Sequence, residues 1–161
     1  MRKRFEQAPK LGTDPIGEVI IPTRTRHELP PVLRGLQYIF MTPALNEEVF
    51  SILEEKVCAG KQDTGRKGMD LWEILVLGVV RLCVDANYDQ LHHMANYDGL
   101  LRGIMGIAPI FSQGKTYGLS TIKDNVRLMD QATIERINRV VVQGGHSIVK
   151  KKRGPKPKGK G

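Results

Sequence analysis

The residues of this chain that could bind a ligand most directly are two cations, Lys123 and Arg127, in a helical pattern over 120–129. Residues four apart share one face of a helix, so both cations can reach neighbouring phosphates or base edges of DNA. Ser120 belongs to the same predicted face, and Asn125 lies at its flank, where an amide could pair with adenine. On the pattern alone, an ordinary solvated helix face is the preferred interpretation. The opposite face of this helix is predicted to be buried and consists of Ile122, Val126 and Met129.

A second group of cations forms the end of the chain, residues 150–161, which contain seven Lys and Arg and no acid. The intervening Pro and Gly predict a disordered, extended tail that would neutralise phosphates with salt-sensitive, sequence-independent affinity. Arg153 begins an Arg-Gly-Pro sequence that resembles an AT-hook without its second arginine. A solvated tail, or read-through of a disrupted gene, fits the same composition. The candidate DNA contacts in the tail are Lys150, Lys151, Lys152 and Arg153.

The net charge of +8 comes almost entirely from this tail, because the net charge of residues 1–149 is only +1. Between residues 35 and 149 there are 11 basic and 13 acidic residues. A basic protein commonly binds nucleic acid, but here the charge alone assigns that partner only to the tail.

Carboxylates that could hold a metal are grouped around two histidines, His92 and His93. Asp89 and His93, four residues apart, could share a metal on one helix face. Helix capping and the preference of acids for the first turn of a helix explain the acids better. We expect no metal, no cofactor and no catalytic residue in this chain.

The elements that position these residues are predicted to be all-α. We expect an extended arm over 1–27, a compact helical body over 28–149 and the disordered tail over 150–161. Within the arm, residues 19–21 either form one short strand or dock on the body. The predicted helices cover 30–41, 43 to about 60, 69–84, 87–96, 99–105, 120–129 and 131 to at least 143.

The helix over 69–84 is expected at the centre of the bundle, because it is apolar on nearly all sides. Its narrow polar stripe contains Glu73, and Gly78 is predicted to mark a close crossing with a neighbour. Trp72 is predicted to be a core residue rather than a stacking platform. Cys58 and Cys83 have no metal spacing and are interpreted as small core residues of a reduced, cytoplasmic protein.

Three helices, over 87–96, 99–105 and 120–129, are arranged in sequence like a helix-turn-helix variant, with the last one offered to a DNA groove. The chain also resembles the amino-terminal domain of bacterial insertion-sequence transposases of the Asp-Asp-Glu class (ISNCY-like). The likeness runs in order through ELPPVLRGLQYIFMTPALNEEVFSILEEK, MDLWEILVLGVVRL, YDQLHHMANYD and TIKDNV.

The resemblance implies a domain that binds the terminal inverted repeats of an element and assists multimerisation, which favours the DNA-binding interpretation of 120–129. The family's catalytic acids belong to a later, ribonuclease-H-like domain, so we expect this chain alone not to be an enzyme. Divalent metal is expected only in that absent domain. A stop codon, a frameshift or the boundaries of the expressed fragment would each explain the truncation.

Two alternatives stay open at this point. The chain could be an interaction module whose seam (Ile134, Ile137, Val141 and Ile148) dimerises with full-length transposase and inhibits it. It could also be a stand-alone helix-turn-helix regulator. The expected partners are double-stranded DNA at element ends and a second copy or full-length transposase, with no membrane.

Overall fold

The computed structural model describes residues 4–5, 15–22, 24, 26–57, 69–108 and 115–140. Over these residues the protein is all-α, as predicted, and contains no strand. A single 3-10 turn at Ile16–Glu18 precedes the helices. The helices are α1 (Leu29–Met41), α2 (Pro43–Val57), α3 (Leu71–Cys83), α4 (Tyr88–Tyr97), α5 (Gly99–Met105), α6 (Leu119–Val126) and α7 (131–140).

Helix α3 lies at the centre of the bundle and packs against α1, α2, α4, α5 and α6. Its apolar circumference requires such neighbours on every side. Trp72 is fully buried, and its indole Nε1 donates a hydrogen bond to the carbonyl of Ile104 at 2.8 Å. A Cβ at Gly78 would lie 3.1 Å from Cγ of Met129. Both predictions are confirmed: Trp72 belongs to the core, and Gly78 permits the close approach of the chain after α6.

Polar side chains cap α4, α5 and α7. The Oδ1 atom of Asn87 accepts from the Gln90 amide at 2.8 Å, while Oε1 of Gln90 accepts from the Asn87 amide at 2.9 Å. This reciprocal pair satisfies two amides that a helix start leaves without partners. Asp98 caps α5 through the Leu101 amide, and Asp130 caps α7 through the Thr133 amide.

The prediction that Cys83 is a core residue is wrong. Cys83 is exposed, because it shares with Val79 and Leu82 one face of α3 that the neighbouring helices leave partly uncovered, and Leu82 is 43% exposed. In the same turn, the Arg81 guanidinium lies over the Tyr88 ring, 4.5 Å from the ring centroid. Cys58 lies outside the described residues.

The described parts of the arm dock on the body. The carbonyl of Arg4 accepts from the Trp72 amide at 3.0 Å, and Phe5 packs edge-on against Phe40 with ring centroids 5.3 Å apart. Ile16 and Ile21 are buried, so the segment around 19–21 docks rather than forming a strand. No helix in the described part of the chain is both long and apolar enough to cross a bilayer.

Arg4 also joins the arm to α2 through two carboxylates. Its Nη1 atom is 2.8 Å from Glu47 Oε1, and its Nε atom is 2.9 Å from Glu54 Oε2. Hydrogen bonds from the guanidinium hold the pKa of each carboxyl below its ordinary value of 4.5. A carboxyl with a depressed pKa in the folded state stabilises the protein above its unfolded pKa, and this contribution is lost as pH falls through the folded pKa.

We therefore expect the free energy of unfolding to fall as pH is lowered below 4.5, and Arg4→Met to make that fall shallower. Urea unfolding at a series of pH values, followed by circular dichroism, measures both curves. Other carboxyls with a lowered pKa, such as that of Asp130, are present in both proteins. They give both proteins the same residual dependence of the free energy of unfolding on pH. Identical pH dependence in the two proteins would contradict this role for Arg4.

Candidate nucleic-acid interface

Helix α6 is fixed to the bundle by one apolar face. Ile122, Val126 and Met129 are 0%, 1% and 5% exposed, and the helix packs against α3 and α4. The predicted buried stripe is therefore confirmed. The side of α6 that carries the candidate DNA contacts is turned away from the core.

The outer face of α6 presents its cations to solvent. The helix predicted over 120–129 ends at Val126, so Arg127 is the C-cap residue of α6 and Met129 follows the helix. Ser120, Lys123 and Arg127 are exposed. Arg127 Nη2 lies 3.9 Å from Asp124 Oδ1, with side chains that are 69% and 67% exposed. An ion pair that is this long and this exposed contributes little to stability. Arg127 can therefore leave Asp124 and bind a phosphate at a small cost in free energy. Lys123 has no ion-pair partner within the described ranges.

Asn125 is placed differently from the other candidates. It is only 8% exposed, and its Nδ2 atom donates to the Thr121 carbonyl of its own helix at 2.7 Å. An amide already bonded in this way has little left to offer an adenine edge. Asn125 is therefore not part of the exposed face that carries Ser120 and Lys123. The four tail candidates, Lys150, Lys151, Lys152 and Arg153, lie outside the described residues.

The start of α6 is held by Tyr117, a residue to which the sequence assigned no role. Its backbone amide donates to Asn96 Oδ1 at 2.8 Å, and its carbonyl accepts from Asn96 Nδ2 at 3.0 Å. Its hydroxyl donates to Glu73 Oε2 at 2.7 Å. Gly118 follows as the N-cap of α6. Side chains from α3 and α4 thus fix the position of Tyr117, which lies just before α6.

Glu73 is the acceptor at the centre of this arrangement. It is 3% exposed and accepts from the Asp70 amide at 3.0 Å, from Lys115 Nζ at 2.9 Å and from the Tyr117 hydroxyl. A buried carboxylate is tolerated when a cation and hydrogen-bond donors compensate for lost hydration. Burial, together with the neighbouring Glu73 carboxylate, raises the pKa of the Tyr117 hydroxyl far above its ordinary value.

Arg102 fixes the other side of the same segment. Although it is 1% exposed, its guanidinium donates to the carbonyls of Ala95 at 2.8 Å and Lys115 at 2.7 Å, and to that of Ala108 through two nitrogens. Burial lowers the pKa of Arg102. One side chain thus ties together α4, the residues after α5 and the residues before α6.

The acids and histidines of α4 do not form a metal-binding group. His93 stacks on Tyr97, with ring centroids 5.0 Å apart. In the part of the chain that the structure describes, no three His, Cys, Asp or Glu side chains are grouped as ligands for a metal ion.

The arrangement as a whole presents one cation, Lys123, on a short helix and a second, Arg127, at its C-cap, and a buried polar network sets the position of the helix. It offers hydrogen-bond donors and positive charge to an anionic surface. Comparison with family models, with curated proteins and with solved structures finds no match to this chain.

Proposed function

We propose that α4, α5 and α6 form a helix-turn-helix-like unit that binds double-stranded DNA, with α6 in the groove and α4 bracing it. In biological terms, the chain would be the DNA-binding, amino-terminal part of an insertion-sequence transposase, acting at the terminal inverted repeats. The observation that carries the proposal is the outward pair of Lys123, on α6, and Arg127, at the C-cap of α6, opposite a buried apolar face.

The dimensions of α6 support this proposal. The diameter of an α-helix with its side chains, about 10–12 Å, matches the width of the major groove, about 12 Å, so the groove can admit α6. Binding is favoured when the contacting groups are ordered in advance, because less conformational entropy is lost. The network around Glu73, Tyr117 and Arg102 supplies that order before DNA arrives.

The interaction-module alternative is less well supported by the positions of its seam residues. Ile137 is 2% exposed, and Ile134 packs against the core of its own chain. Arg136 Nη2 lies 3.2 Å from Glu55 Oε1, which places α7 beside α2. The described half of the seam is therefore already used within one molecule. Val141 and Ile148 lie outside the described residues.

A gel shift paired with a pull-down separates the candidates. We expect the purified chain to retard a duplex carrying the terminal repeats that flank its coding sequence more strongly than a scrambled duplex of equal length. Capture of full-length transposase without any shift would contradict the proposal in favour of the interaction module. Preferential retardation of the promoter region, with no preference for repeats, would favour the stand-alone regulator.

A further inference from the structure

Two aromatic side chains on α4, His93 and Tyr97, are exposed and held against each other. Their ring planes are inclined by 38° with centroids 5.0 Å apart, and Tyr97 is 61% exposed. Neither ring is needed for the core, whose contacts from α4 come from Leu91 and Ala95 on the other side of the helix. A stacked pair is more restricted in its side-chain rotation than two separate residues, so a contact made by it costs less entropy.

The last turn of α4, which carries Tyr97, lies beside the segment that leads into α6. Asn96, the residue immediately before Tyr97, bonds both the amide and the carbonyl of Tyr117. Because α6 begins at Leu119, its first turn leaves the bundle beside the end of α4 that carries the two rings. Helices α4 and α6 also pack against each other directly.

Part of the negative charge at this end of α4 is compensated within the protein. A helix C-terminus carries partial negative charge on its free carbonyls. Here the Ala95 carbonyl accepts from the Arg102 guanidinium, and the Asp98 carboxylate is bonded to the Leu101 amide. The Tyr97 hydroxyl and the His93 imidazole then remain as outward hydrogen-bond donors.

We propose that His93 and Tyr97 form a clamp for the sugar-phosphate backbone beside the groove that α6 enters, with the Tyr97 hydroxyl donating to a phosphate oxygen. Tyrosine is one of the side chains that commonly bond DNA phosphates, and in helix-turn-helix proteins the helix that braces the recognition helix, here α4, crosses the backbone. The clamp sets the register of α6 on the duplex. This inference rests on the proposed function.

The clamp has a signature that distinguishes it from the cations of α6. A hydroxyl carries no charge, so its removal weakens binding without changing the number of counterions released. Tyr97→Phe is expected to lower duplex affinity about tenfold, the usual effect of losing one hydrogen bond to a charged group. The slope of log affinity against log salt concentration is expected to stay as in the wild type.

Fluorescence anisotropy over a salt series tests this expectation, with Tyr88→Phe as the matched control. Tyr88 lies in the first turn of the same helix with its ring covered by Arg81, and removal of its hydroxyl is expected to leave affinity unchanged. Interference by phosphate ethylation gives a second readout. One phosphate whose ethylation weakens wild-type binding is expected to become insensitive in Tyr97→Phe.

Wild-type affinity and an unchanged interference pattern in Tyr97→Phe would overturn the clamp while leaving the proposed function intact. Failure of the wild type itself to bind any duplex would overturn both. Because Tyr97 is 61% exposed, the variant is expected to melt at the wild-type temperature, which circular dichroism verifies.

Discussion

Replacing Arg102 by methionine is expected to lower the free energy of unfolding by about 3 kcal/mol. The guanidinium donates to the carbonyls of Ala95, Ala108 and Lys115, and each of these acceptors loses a buried partner. A buried acceptor without a partner costs roughly 1–3 kcal/mol. The total is reduced because the variant no longer has to bury a charge. Methionine keeps an unbranched apolar chain of comparable length in the cavity.

Urea unfolding monitored by circular dichroism measures this loss, with Arg136→Met as the matched control. Arg136 also carries a hydrogen-bonded guanidinium, but its ion pair with Glu55 is exposed, with side chains that are 44% and 61% accessible. Exposed ion pairs contribute about 1 kcal/mol or less. Equal stabilities of the two variants would show that the buried carbonyls do not depend on Arg102. Amide exchange at Tyr117 is expected to accelerate in Arg102→Met and not in the control.

The double variant Lys123→Ala with Arg127→Ala is expected to show the largest loss of duplex affinity, roughly 50-fold at about 0.1 M salt. Each phosphate contact contributes about 0.9 to the slope of log affinity against log salt, so the slope is expected to fall by about 2. Both side chains are exposed and leave the apolar face of α6 untouched, so the circular dichroism spectrum is expected to be unchanged.

The matched control for this variant is Lys56→Ala with Arg139→Ala, which removes two exposed cations from α2 and α7. The control changes the net charge by the same amount. It is expected to lose only the long-range attraction between these two cations and DNA, which salt screens, and therefore to lose less affinity. Anisotropy titrations of both proteins give the comparison. Wild-type affinity in the Lys123 and Arg127 variant would mean that α6 is not the DNA-binding helix.

The helices could be predicted from the sequence because their signals are local. Asn87 caps α4 through Gln90, three residues away, and Asp130 caps α7 through Thr133. The buried faces of α3 and α6 could likewise be predicted, because they are identified by apolar residues that lie only three or four positions apart. Cys83 could not be assigned in this way, because its exposure depends on which face of α3 the neighbouring helices leave uncovered.

The network that positions α6 could not be predicted, since its partners are far apart in the chain. Glu73 is separated by 42 residues from Lys115 and by 44 from Tyr117. In the sequence, Glu73 is simply one member of the polar stripe of α3. Arg102 bonds backbone carbonyls, which every residue type has, so no sequence pattern identifies its acceptors. The outward position of Lys123 was predicted, whereas the burial of Asn125 depends on its bond to Thr121 within α6.

Binding of a DNA duplex by these helices can be measured in a single titration. A fluorescent duplex is titrated with the wild-type chain at an ionic strength of about 0.01 M, where charges interact over roughly 30 Å. We predict saturable binding that weakens linearly in log salt concentration as salt is added. No binding to duplexes of any sequence at this ionic strength would contradict the account.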